Sequence, residues 1–416
     1  MEKSRLRQVI IDHQELLRMK DPEIIERDVD LDYFLRGNEV VIISGIRRCG
    51  KSTLLRIIAE KLPGAKLYLD FDDVRLVDLT IENFQHIEEI GYELLGTYEV
   101  SYFFDEIQNA PFWERWVNNL FSKGRKVFLT GSNSNLLSSE ILTHLTGRNK
   151  VLRLFPFSFR EFLRLKGMEP SGPLTSQKRN KIFRHFLTYF EQGGFPQINR
   201  NDDIELSRAF FDDILNKDVF TRYRVRHVKE VKDLVVYLFS NAGRTFSYST
   251  LSKITGIKSP STLKNYIDHL RSVYLISTLE KFDYSVAAQK TSSSKPYLAD
   301  ASFFKTIAFN FSENAGKRLE NLVYLHLLRS GSECYYHHGK KECDFLEKQG
   351  LDITSAIQVC YDMSQTATRS REIDGLQEAI RMYDLDSGLI LTLDRSEEIR
   401  EHNISIKPVW EWLLGM

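Results

Sequence analysis

Nine consecutive residues carry the clearest chemistry in this chain. Gly45-Ile46-Arg47-Arg48-Cys49-Gly50-Lys51-Ser52-Thr53 fits the spacing G-x-x-x-x-G-K-[ST]. Glycines at those positions let the backbone curl so that successive N–H groups face inward, and the N-terminus of a following helix adds its positive end. The result is a cradle for anions, and a triphosphate is its natural guest. Lys51 then reaches the β- and γ-phosphates, the Ser52 hydroxyl ligates Mg²⁺, and Arg47 and Arg48 project from the loop or brace it. The flanking elements suit this reading. Glu39 to Ser44, dominated by Val40, Val41, Ile42 and Ile43, predicts a strand, and Lys51 to Leu62 predicts a helix with Leu54, Leu55, Ile57 and Ile58 facing a sheet.

Carboxylates follow where such a loop needs them. Val100 to Phe104 is apolar throughout, as a strand buried on both faces requires, and it runs directly into Asp105-Glu106. Asp105 is the candidate to hold magnesium through water, and Glu106 the candidate base that orients or deprotonates an attacking water. Lys126 to Thr130 predicts a further strand delivering Gly131-Ser132-Asn133-Ser134. Asn133 is positioned there to contact a γ-phosphate or the lytic water, and the same polar residues suit a helix N-cap near Asn135; both can hold at once. Another strand, Lys66 to Phe71, ends in Asp70, Asp72 and Asp73, carboxylates that could hydrogen-bond the magnesium shell or cap a loop and that read best as caps. A fifth is expected at Val151 to Phe155. Thr146-Gly147-Arg148 precedes it, an arginine suited either to reach a neighbouring subunit's nucleotide or to form a surface salt bridge.

Composition sets the wider frame. At 416 residues the chain exceeds one compact core and predicts two or three domains. Its formal charge is zero, which argues against wholesale coating of a polyanion but leaves room for a local basic face. No apolar run approaches the roughly 20 residues that span a bilayer, and the charged N-terminus lacks a signal-peptide core, so a cytoplasmic protein without a membrane partner is expected. Cys49, Cys334, Cys343 and Cys360 show no C-x-x-C spacing, so neither a disulfide framework nor a zinc site is indicated.

Five strands with these residues at their carboxyl ends resemble the P-loop ATPases of the AAA+ group. The match is closer to a prokaryotic family of AAA-type ATPases with a C-terminal domain of unassigned activity. Beyond the phosphate loop, it rests on Phe104-Asp105-Glu106-Ile107-Gln108, Leu129-Thr130-Gly131-Ser132-Asn133-Ser134, the run Leu154 to Phe162, and Gly193-Gly194-Phe195-Pro196. The resemblance covers nearly the whole chain and implies an α/β fold, a P-loop AAA+ core with a five-stranded parallel sheet, binding of ATP with Mg²⁺, and hydrolysis.

Four regions are expected: an ATPase domain over 1–168 with an N-terminal helix, a helical lid or connector over 174–230, a winged helix-turn-helix over 231–300, and a last domain over 301–416. A linker with Pro170, Gly172 and Pro173 separates the first two. In the third, Ser249 to Thr255 and Pro260 to Val273 form the two helices, the second carrying Lys264, His269 and Arg271. Lys290, Ser292 to Ser294 and Lys295 are expected on a mobile loop or wing tip. The last domain places Glu320 on a helix, Asp344 on a hairpin and Gln358 and Cys360 on the next strand, an arrangement like restriction-endonuclease-type metal nucleases. Those need two carboxylates and a lysine, and here Gln358 and Cys360 stand where the second carboxylate and the lysine belong, so a non-cleaving domain is expected. The function that follows is an ATPase whose nucleotide state controls C-terminal modules engaging DNA. The alternative is an ATP-dependent switch recruiting a protein partner or further copies of itself.

Overall fold

The computed structural model describes residues 1–19, 23–137, 149–170, 172, 174–308 and 314–416. Residues Thr146, Gly147 and Arg148 lie outside them. Two units are distinguished, residues 1–155 with 272–274, and residues 156–271 with 275–416.

In the first unit the β-branched run Val40–Ser44 forms β1, buried along its whole length. Four more strands join it: β2 Ala65–Asp70, β3 Val100–Asp105, β4 Val127–Gly131 and β5 Asn149–Arg153. The order across the sheet is β2-β3-β4-β1-β5, and every pairing is parallel. Parallel pairing demands crossovers, and helices supply them between β1 and β2, β2 and β3, and β3 and β4. They are α3 Lys51–Lys61, α4 Glu82–Leu95 and α5 Trp113–Ser122, preceded in the chain by α1 Lys3–Arg18 and the short α2 Leu31–Leu35. Leu6, Val9 and Ile10 of α1 enter the same core as Leu67, Leu69, Phe104 and Trp116. Trp116 stacks on Phe84 at 4.3 Å and on Phe104 at 4.6 Å. This sheet matches the expected five-stranded core, with β4 inserted between the loop-bearing strand and the Asp-Glu strand.

The second unit opens with α6 Phe159–Leu165, closed by a capping box between Ser158 and Glu161. The first unit therefore ends before residue 168, because Phe159, Phe162 and Leu163 pack with Phe186 and Tyr189 of α7 Ser176–Gln192 instead of with the parallel sheet. After α8 Pro196–Asn201, the helix expected from Glu205 to Tyr223 is α-helical only over α9 Leu206–Asp213 and then winds as a π-helix over Ile214–Thr221. Next come α10 Val228–Ser240, α11 Tyr248–Thr255 and α12 Pro260–Ser272, with Gly256 in a left-handed turn after α11. Strand β6 Ile276–Glu280 and strand β7 Ser294–Leu298, separated by the short α13 Val286–Thr291, pair antiparallel. Lys295 is thus a strand residue, 1% exposed, and not part of a mobile tip.

Following α14 Ser302–Thr306, α15 Asn314–Arg329 leads into a mixed sheet. Its strands are β8 Glu333–His338, β9 Glu342–Gln349, β10 Asp352–Val359, β11 Gly388–Thr392, β12 Glu397–Ile399 and β13 Ile404–Pro408, in the order β12-β13-β11-β10-β9-β8. Helix α16 Thr366–Met382 crosses from β10 to its parallel neighbour β11, and α17 Val409–Leu413 ends the fold.

The pair Gly193-Gly194 owes its identity to close approach. A Cβ on Gly194 would stand 2.3 Å from the Phe157 carbonyl oxygen, because the two backbones are joined by a 2.7 Å bond from Phe157 N to Gly194 O. The Gly194 N–H also donates to the buried Asp300 carboxylate at 2.7 Å. Since backbone cannot swing aside like a side chain, Gly194→Ala is expected to destabilise the protein by about 2 kcal/mol or more. Thermal unfolding checks this, and an unchanged melting temperature would show that the contact relaxes without cost.

Candidate functional site

The order of the parallel strands decides which side chains meet. β1, β4 and β3 are neighbours, so the loop after β1, the polar residues after β4 and the acidic pair at the end of β3 converge at the carboxyl edge of the sheet.

The loop itself is pinned by backbone. Gly45 leaves β1 beside the chain after β5, where a Cβ would meet the Leu154 carbonyl oxygen at 2.1 Å. Gly50, at φ 101°, turns the chain in the left-handed region and caps α3. Between them Arg48 also takes a positive φ of 71°. Cys49 is buried, its Sγ 3.5 Å from the Leu154 carbonyl, and burial pushes its thiol pKa upward. The brace proves to be Arg27, which the sequence did not single out. Its guanidinium, 9% exposed, donates to the Cys49 carbonyl at 3.0 Å and to the Phe155 carbonyl at 2.7 Å. Arg47 instead pairs with Asp72 at 3.3 Å.

Lys51, the first residue of α3, lies 4% exposed with its Nζ 3.3 Å from the Ile46 carbonyl and 3.3 Å from Glu106 Oε1. Burial alone would lower the ammonium's pKa. The facing Glu106 carboxylate outweighs it, with Cys49 and Asp105 adding, and the net shift is upward. Glu106 shows the mirror image: burial acts to raise it, but Lys51, the Gln108 amide and Arg47 draw it down to about 2. Both partners are charged at neutral pH. Glu106 has left-handed backbone, φ 47°, which is costly for a side chain with a Cβ. It is held there by its N–H donating to Thr130 Oγ1 at 3.0 Å and by its Oε2 accepting from Ser132 N at 3.2 Å and from the Gln108 amide.

Asp105 is 2% exposed. Its carboxylate accepts the Thr130 hydroxyl and the Tyr68 hydroxyl at 3.1 Å. Burial raises its pKa, and Glu106 adds to the shift. Asp70, its register partner on β2, is pushed up to about 7 by burial, with Asp105 contributing. Asp105 and Glu106 thus lie close to Lys51 at this edge, and Asp70 beside Asp105 on the neighbouring strand. The Ser52 hydroxyl and Asp105 carboxylate are hard oxygen donors of the kind Mg²⁺ takes, so the residues present fit that ion. Asp70 and Asp73 also cap the adjoining turn: Asp70 accepts from Asp72 N at 2.9 Å and Asp73 from Arg75 N at 2.8 Å.

Asn133 follows β4, 2% exposed, with its carbonyl accepting from Leu136 N at 3.3 Å. The phosphate-loop residues from Gly45 to Thr53, Asp105, Glu106 and Asn133 thus share one edge, while Arg148 lies outside the described residues. Thr130 and Gln108 stood inside motifs already noted. Tyr68 and Arg27 carried no local signal, because their roles come from a neighbouring strand and from a segment about 20 residues ahead of the loop.

The chain is similar to several known proteins. A family model described as an AAA domain matches residues 37–163, and one described as a domain of unknown function matches residues 183–314. The uncharacterized protein MJ1544 of Methanocaldococcus jannaschii is 32% identical over 98% of this chain and 94% of its own length. An uncharacterized protein of Haemophilus influenzae is 27% identical over 96% of this chain and 97% of its own. Among solved structures, the RuvB Holliday junction branch migration motor of Thermotoga maritima aligns with 63% of this chain and 92% of its own at 16% identity, with a TM-score of 0.32. With a 32% identical relative aligned along nearly its whole length and an AAA domain over the parallel sheet, the chain belongs to the family of AAA-domain P-loop proteins that includes MJ1544.

Proposed function

We propose that this protein binds ATP in the loop from Gly45 to Thr53 and hydrolyses it, and that its nucleotide state controls the modules of the second unit. The observation that carries the reading is the buried pair of Lys51 and Glu106 at 3.3 Å, beside the buried Asp105. Backbone N–H groups of the loop and the N-terminus of α3 receive the phosphates. Lys51 turns from Glu106 to the β- and γ-phosphate oxygens as they arrive. Ser52 and Asp105 are the residues that would hold magnesium, which would supply charge neutralisation at the phosphates.

The exchange of partners also makes a base. Beside the ammonium, Glu106 is held to about 2, too acidic to accept a proton efficiently. Released from Lys51, its burial dominates and its basicity rises. It then takes a proton from water as the water oxygen bonds to the γ-phosphorus and the bond to the β-phosphate oxygen breaks, leaving ADP and phosphate. Asn133, at the end of β4, is assigned to orient that water or the γ-phosphate. Arg148 retains the two roles open to it in the sequence.

For the second unit, the order α11, turn, α12 and then the β6–β7 hairpin supports a winged helix-turn-helix engaging DNA, and the helix-led mixed sheet supports the nuclease-like reading of residues 301–416. One observation favours the alternative, recruitment of a protein partner. Of the basic residues expected to read DNA, Arg271 pairs with Asp268 at 3.3 Å and His269 stacks on Tyr223 at 3.8 Å, leaving little charge on α12 for phosphates.

Calorimetry with Mg-ATP and phosphate release test the catalytic reading. Lys51→Ala is expected to weaken nucleotide binding by about 3 kcal/mol, roughly a hundredfold. Glu106→Gln is expected to keep binding and to lose turnover by about 10²- to 10⁴-fold; turnover at the unaltered rate would remove Glu106 as the base. DNA engagement is expected to appear as duplex binding that falls steeply with added salt, and no binding at low salt would decide for the protein-partner reading.

A further inference from the structure

One three-residue stretch departs from its surroundings in the chain. Ser272, Val273 and Tyr274 belong to the first unit, while α12 up to Arg271 and the chain from Leu275 into β6 belong to the second. The stretch forms the C-terminal turn of α12. Leu275 N donates to the Leu270 carbonyl at 3.0 Å, the six-to-one bond of a Schellman turn, and Tyr274, the residue before it, is left-handed with φ 60°. Glycine is the usual occupant of that position, because a Cβ there crowds the backbone. Helix α11 ends in the usual way, on Gly256 at φ 76°. At the end of α12 the chain instead keeps a bulky side chain in a conformation that such residues avoid, and strain of this kind persists where the surroundings use the side chain.

That side chain is seated at the base of the phosphate loop. Tyr274 is 9% exposed, and the Arg153 guanidinium lies 5.1 Å from the centre of its ring and 4.7 Å from that of Phe155. Its hydroxyl lies near the hydroxyl of Ser44, the last residue of β1, and within the fields of Arg153 and Lys51. The two hydroxyls are neighbours, yet neither meets a partner at hydrogen-bonding geometry among the described residues. Burial raises the pKa of the phenol, so it keeps its proton and remains a donor.

The groups around this ring are those that shape the loop. Ser44 is followed directly by Gly45. Arg153 closes β5, beside the Leu154 carbonyl that Cys49 approaches and the Phe155 carbonyl that Arg27 holds. Lys51 faces Glu106 at 3.3 Å. A change in the partner of Lys51 or in the loop backbone therefore alters the field and the packing at Tyr274, one peptide bond from the Leu275 N–H that closes α12.

We propose that Tyr274 is the positioning residue through which phosphates bound at the loop act on α12: its seat beside Ser44 and Arg153 fixes the last turn of that helix, and Lys51, on leaving Glu106 for the phosphates, alters that seat. This rests on nucleotide binding at residues 45–53 as proposed above, and it names the residue that carries the effect into the winged-helix segment. Amide hydrogen exchange of the full-length protein with and without Mg-ADP, run beside calorimetry, tests it. In the wild type, bound Mg-ADP is expected to change exchange at residues 270–275 by about fivefold or more, the lower end of ordinary coupling between sites. Tyr274→Phe keeps the ring and loses the hydroxyl; Tyr274→Gly suits the turn and loses the whole side chain. Both are expected still to bind Mg-ADP, with affinity shifted by no more than the coupling factor because coupling is reciprocal, and to lose the nucleotide-dependent change in exchange. A change at residues 270–275 that persists undiminished in both variants overturns the inference, as does a wild type that binds Mg-ADP with no change there. Absence of calorimetric heat from the wild type is a separate result, which removes nucleotide binding itself and this inference with it.

Discussion

The first unit depends on keeping a buried ammonium and a buried carboxylate opposite one another. Lys51 and Glu106 belong to different elements, and taking both out of water is tolerable only because they are 3.3 Å apart and further hydrogen-bonded. Removing one partner would strand the other as an uncompensated interior charge, at a cost of about 3–5 kcal/mol. Much of the neighbouring structure serves to hold that distance. β4 stands between β1, whose loop leads to Lys51, and β3, which Glu106 follows, and its Thr130 hydroxyl joins Asp105 to the backbone of Glu106. Such a pair is a store of electrostatic free energy that a polyphosphate could exchange for its own, and under the proposed function this is how the same two residues would serve both binding and chemistry.

The support for that pair extends beyond the motif. Arg27 ties the loop to the chain after β5 through two carbonyls. His13, from α1, accepts from Asp70 N at 3.2 Å and lies 3.0 Å from Asp73, so the N-terminal helix is bound into the acidic turn after β2. Burial lowers the pKa of His13, which keeps it a neutral ring able to accept that bond. A site whose own residues occupy a few short motifs thus relies on side chains from segments with no recognisable pattern.

The two charge clusters in this molecule obey the same rule with different outcomes. At the nucleotide loop one lysine faces Glu106 squarely, and the surplus carboxylates Asp70 and Asp105 stay above their ordinary range. In the second unit Lys295 sits among three carboxylates, closest to Glu342 at 2.6 Å, with Asp344 at 3.6 Å and Glu320 at 3.9 Å. In both places burial lifts the carboxylates that no ammonium faces at close range above their ordinary values, and the ammonium lowers the one that it does face.

Local pattern was enough to reveal the parallel core. Val40 to Ile43 and Val100 to Phe104 are apolar without alternation, and only strands buried on both faces tolerate that, while the spacing of Gly45, Gly50, Lys51 and Ser52 encodes a backbone shape that short-range sterics dictate. Helix limits near Lys51 and the Pro260 to Val273 segment were legible for the same reason. Contacts between distant segments were not. The end of the first unit at Phe155 depends on which core receives Phe159 and Phe162, the π-winding after Asp213 on packing that periodicity cannot register, and the burial of Lys295 on carboxylates from a helix and a hairpin that follow it in the chain. A residue's type and spacing determine what chemistry it can perform; its charge state and partner are set by desolvation and by the elements the fold brings against it, and those exist only once the chain has closed.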